Sequence, residues 1–175
     1  MHFARTSTLL GLIGCAVGAA FLSLNTSPLQ PVPYGNTESS AQHLVQMVAV
    51  DGPRQAAETL NRDHKWNEVR LAITAGQPET ARLLPALMPL AGPATTRSLQ
   101  QAMRHTLITH PTAMLAATTE DTTTPLSTTT ICSPNGMSAL WRSHAQLAVS
   151  SVHDSQLAVR AKRCLDTLGS KASGS

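Results

Sequence analysis

What most limits the fold of this chain is the recurrence of its apolar residues three and four apart, between proline and glycine breaks, with almost no stretch of period two. A half-buried strand needs alternation, whereas one face of a helix needs a three-to-four spacing. The 175 residues therefore read as all-α: a single helical bundle or a stack of helical hairpins. The sharpest stripe is Trp66, Val69, Ala72 and Ile73, preceded by Asp63 as a potential cap and followed by Gly76, where a helix end favours a left-handed residue.

The same grammar extends to both sides. Leu44, Val45 and Val48 share a face behind Ser39 or Ser40, Asp51-Gly52-Pro53 interrupts it, and Asp51 can cap a short helix bearing Ala57 and Leu60. Pro78 suits a first helical turn, ahead of Ala81, Leu84, Leu87 and Met88, and Pro85 predicts a kink or split within that segment. After Gly92-Pro93, Thr95 or Thr96 can open a helix whose face is Leu99, Ala102, Met103, Thr106 and Leu107. Pro111 then starts a short one holding Met114 and Leu115. The pattern resumes at Ser138 with Leu140, Trp141, Ala145, Ala148 and Val152, and Asp154 can cap a last helix bearing Leu157, Ala161, Cys164 and Leu168. Between these parts lies the Thr-rich stretch 118–131, whose composition predicts a disordered loop that buries almost nothing.

The N-terminus carries an address. Arg5 precedes an apolar run from Leu9 to Leu24, with the small residues Gly18, Ala19 and Ala20 near its end, as in a secretory signal. As a helix that run spans about 24 Å, less than the roughly 30 Å hydrocarbon core. A cleaved signal is thus the first reading, and a retained anchor, with membrane association through residues 8–24, is the second. The third rests on Leu12-Ile13-Gly14-Cys15, which is similar to a lipobox and makes Cys15 a candidate lipidation site, although the apolar residues continuing to Leu24 depart from that pattern. The chain divides into a signal or anchor (1–25), a Pro-rich tether (26–37), a helical domain (38–168) and a disordered tail (169–175). The expected location is the periplasm or cell envelope.

Export changes how the cysteines read. With Cys15 in the leader, Cys132 and Cys164 remain as an even pair, which in an oxidising compartment is most simply a disulfide; two buried thiols are the alternative. The formal net charge is +3, and the chain has only two Trp, two Phe and one Tyr. Neither the clustered cations nor the aromatic platforms of a nucleic-acid binder are present, so no nucleic acid is expected.

The residues carry no catalytic signature. No two histidines fall at the spacing that places both imidazoles on one helix face, so neither a metal nor another cofactor is expected. The adjacent acids Glu120 and Asp121 lie in the Thr-rich stretch, where no burial raises a pKa for acid–base work. Trp66 and Trp141 read first as core and second as partner-binding anchors. The run Trp66, Val69, Ile73, Gly76, then Leu84, Leu87, Leu99, Ala102, Leu107 and Pro111, closed by Cys132 and Cys164, resembles a group of small, uncharacterised exported helical proteins of proteobacteria. That resemblance covers roughly residues 64–168, implies export, a helical fold and a cysteine pair, and brings no catalytic residue; the Thr-rich insertion departs from it. The functional expectation is a noncatalytic envelope protein, a helical module binding an unknown envelope protein or lipid. A periplasmic immunity or inhibitor protein is one alternative. An envelope hydrolase using dispersed residues such as Glu68, Glu79 and His105 is the other.

Overall fold

The computed structural model describes residues 37–170. Cys15, the export segment, nearly all of the tether and residues 171–175 lie outside the described residues. Within them the chain is all-α: α1 (Thr37–Arg62), α2 (Trp66–Thr74), α3 (Pro78–Leu87), α4 (Pro93–Thr106), α5 (Pro111–Ala117), α6 (Thr128–Ile131), α7 (Ala139–Ser150) and α8 (Ala158–Gly169). Two single 3-10 turns, Met88–Leu90 and Ser155–Leu157, lead out of α3 and into α8. None of these helices is long and apolar enough to cross a membrane.

The breaks follow backbone chemistry. At the Asp51-Gly52-Pro53 interruption, Gly52 takes φ 78° and ψ 163°, dividing α1 into two helical arms. Proline disfavours the α region for the residue before it, and only glycine adopts this combination freely. At the end of α2, the Gly76 amide donates to the Ile73 carbonyl and the Gln77 amide to that of Ala72, a Schellman closure with Gly76 at φ +67°. The end of α1 repeats it with His64 at φ 53°, since the His64 amide donates to Asn61 and the Lys65 amide to Leu60.

His64 thus occupies a left-handed position that costs an L-residue about 1–2 kcal/mol. His64→Gly is expected to stabilise the protein by about 1 kcal/mol, after allowing for glycine's greater freedom in the unfolded chain. Urea unfolding checks this: the midpoint should rise with the m-value unchanged.

Three local expectations are corrected. Asp63 does not cap α2, because Lys65 precedes that helix without a side-chain cap while Asp63 pairs with Arg62 at 3.2 Å. Pro85 does not split α3, which is helical through Leu87; the buried Leu84 and Leu87 hold the segment on both sides of the exposed proline. Helix α4 opens at Pro93 rather than at Thr95 or Thr96, since proline at the first position is already set to a helical φ. Asp154 and Ser138 do cap: they accept from the amides of Gln156 at 2.8 Å and Trp141 at 3.1 Å.

Helix α1 packs on α2 and α3, α2 on α4, α3 on α5, and α7 on α8. Their stripes meet in one core that includes Leu44, Leu60, Ile73, Leu84, Met103 and Met114.

The largest difference from expectation is the Thr-rich stretch. Instead of a disordered loop it folds back on itself. The Thr119 amide donates to Leu126 at 2.9 Å and the Thr128 amide to Thr119 at 3.0 Å, and α6 follows with Ser127 as its cap. Thr118, Leu126, Ser127, Thr128 and Ile131 are buried. The partners come from distant helices: Gln100 donates to the Pro125 carbonyl, Arg104 to those of Thr130 and Asn135, and Arg163 to that of Glu120. Composition shows how little apolar surface a segment has, but not which far side chains will satisfy its carbonyls. At its end, Cys132 and Cys164 are joined, with Cα atoms 5.3 Å apart and both residues fully buried.

Candidate functional site

Helix α7 offers the best candidate surface. Capped by Ser138, it turns Trp141, Ala145 and Val149 into the core. Its opposite face carries Leu140, His144 and Leu147 at spacings of four and three, with Leu140 67 % and Leu147 72 % exposed. The expectation that Leu140 belongs to the buried stripe is therefore corrected. It adjoins Trp141 in sequence, but one residue step turns a helix by about 100°, and the indole takes the inward direction.

Beside this stripe, between α7 and the end of α4, runs a groove of about 420 Å³ whose walls include His105, Ile108, Met137, Leu140, Trp141 and His144. Its lining mixes apolar with polar side chains, and an exposed imidazole comes from each helix, His105 of α4 and His144 of α7. The two walls are tied together by the Trp141 indole N–H, which donates to the Arg104 carbonyl at 3.0 Å. Arg104 in turn spans α4 to the Thr-rich segment. Burial disfavours its charge and pulls its pKa below the ordinary arginine value.

Neither tryptophan is a free anchor. Trp66 is 9 % exposed with its indole N–H donating to Asn61 at 2.7 Å, and Trp141 is 5 % exposed. Both are held by packing and an internal hydrogen bond, in keeping with their first reading as core, and Trp141 also lines the groove. No family model matches this chain, and neither does any curated protein or solved structure. Its surface must therefore be read from its own residues.

The residues considered for hydrolysis lie apart. His105 lines clefts beside α4, Glu79 lines another cleft between α1 and α3, and Glu68 lines neither. The described histidines are all exposed, and among the described residues no three His, Cys, Asp or Glu side chains are grouped to hold a metal ion. Asp121 is occupied locally: the hydroxyl and amide of Thr123 donate to its Oδ1 at 2.7 and 2.9 Å, holding its carboxyl below the usual range. The useful signal for the α7 surface is present in the sequence, as leucines at positions 140 and 147 seven residues apart. It is masked there by Trp141, whose larger apolar side chain suggests a single broad buried face.

Proposed function

We propose that this is a noncatalytic, exported helical interaction protein of the bacterial envelope, which docks an amphipathic helix of an envelope protein along α7 and into the α4–α7 groove. The observation that supports it is the outward stripe Leu140, His144 and Leu147 beside that groove. An amphipathic partner helix can lay its apolar face along such a stripe and into the groove beside it. The apolar run Leu9–Leu24 supports the envelope location, and the joined Cys132 and Cys164 suit an oxidising compartment.

The experiment pairs location with surface. The full chain is expected in the envelope fraction, and a photo-crosslinker at position 147 should capture a partner through a helical segment whose isolated peptide binds the protein. Burying each leucine contributes about 1.5–3 kcal/mol, so Leu140→Glu with Leu147→Glu should weaken that peptide at least about 100-fold. Both leucines are exposed, so thermal stability should stay close to wild type. Unchanged peptide affinity in the double variant, or a cytosolic chain, overturns the reading.

A further inference from the structure

A second cleft, of about 680 Å³, lies elsewhere, among the start of α3, the start of α5 and the segment entering α8. That is the size range of small-ligand sites, about 300–1,000 Å³. Arg82 reaches it from α3, Arg160 from α8, and His110 and Thr112 from the entry of α5, while Asp154 is the one carboxylate on its wall. The two guanidiniums differ in a useful way. Arg160 is positioned by the backbone, its Nη1 donating to the carbonyls of Leu115 and Ala116 at 3.2 and 3.0 Å. Glu120, the acid nearest to it, is 4.0 Å from its Nε and pairs more closely with Arg163, at 2.7 Å. Arg82 is exposed, and among the described residues no carboxylate lies within ion-pair distance of it. Asp154 is already committed to the Gln156 amide.

The cleft thus holds one cation positioned by backbone carbonyls and one exposed cation with no acid at ion-pair distance, facing a single acid that is occupied in capping. From this we infer that it binds a compact, multiply charged oxyanion, a phosphate- or carboxylate-bearing small molecule. Such a ligand is received by Arg160 on one side and Arg82 on another, with Thr112 and His110 also lining the cleft. Arginine's planar fork suits both oxyanion types. This site shares no lining residue with the α4–α7 groove and does not depend on the partner proposed there.

Titrating the full chain with pyrophosphate, and separately with citrate, tests it by calorimetry. Saturable binding of one or both probes is expected, and their ranking tells a phosphate ligand from a carboxylate one. Arg82→Gln should weaken the better probe about tenfold, the effect of losing one charge-assisted contact. Asp154→Asn keeps a capping oxygen while removing the opposing charge, so it should tighten binding. Arg97→Gln, an exposed α4 arginine outside this cleft, should change nothing. The inference is overturned if neither probe saturates, or if Arg97→Gln weakens binding as much as Arg82→Gln, which marks general surface charge.

Discussion

Replacing Cys132 and Cys164 together by alanine is expected to lower stability by about 3–4 kcal/mol, because the cross-link closes a loop whose ends are 32 residues apart and the unfolded chain regains that closure entropy. For a folded body of this size the melting temperature should fall by about 10 °C. The effect should also be local. The bond ties the end of α6 to α8 beneath the Thr-rich segment, whose other supports are side-chain contacts from Gln100, Arg104 and Arg163. Hydrogen exchange in residues 118–131 should therefore accelerate more than in α2 or α4. A single Cys132→Ser variant should fare worse than the alanine pair, since it places a hydroxyl at a fully buried position and strands the Cys164 thiol. Reductant should reproduce the alanine pair's loss on the intact chain. If reductant leaves the melting temperature unchanged, or both thiols label completely in unreduced material, the cross-link contributes nothing to the folded protein.

The helices were legible because each declares itself locally, in a stripe that one face can bury and in the residue that stops it. Gly52-Pro53, Gly76-Gln77-Pro78 and His110-Pro111 mark real boundaries because φ restrictions act on one or two residues at a time. The largest error arose where the deciding partner is remote. The Thr-rich stretch has little apolar surface of its own, yet it becomes structured because α4 and α8 supply donors to its carbonyls from roughly 25 to 43 positions away. Asp63 looked like a cap, but the preceding Schellman turn carries the chain past it before α2 begins. The α4–α7 surface was half visible. The sequence placed Trp141 inward correctly but could not tell that Leu140, one step around the helix, is exposed beside the groove. The Arg82–Arg160 cleft was invisible, since its two cations stand 78 positions apart on helices whose juxtaposition no local pattern encodes.

Gly76→Ala is expected to cost about 2–4 kcal/mol, from two causes that one further substitution separates. The first is conformational. Gly76 sits at φ +67° in the closure between α2 and α3, where an alanine Cβ costs about 1–2 kcal/mol. The second is steric, because a Cβ built there overlaps the ring of His110, including the ring carbon nearest its own backbone. Relief requires His110 to change χ1 at the entry of α5, so the imidazole cannot escape by flexing its tip. His110 itself is exposed and makes no side-chain cap, so His110→Ala alone should change stability by well under 1 kcal/mol. The double variant should then recover the steric part and keep the conformational part, giving a coupling of about 1–2 kcal/mol in a double-mutant cycle. Urea unfolding of the four proteins measures it. Full recovery in the double variant rules out the left-handed strain, no recovery rules out the ring contact, and either result changes how the α2–α3 turn is held against α5 at the edge of the cationic cleft.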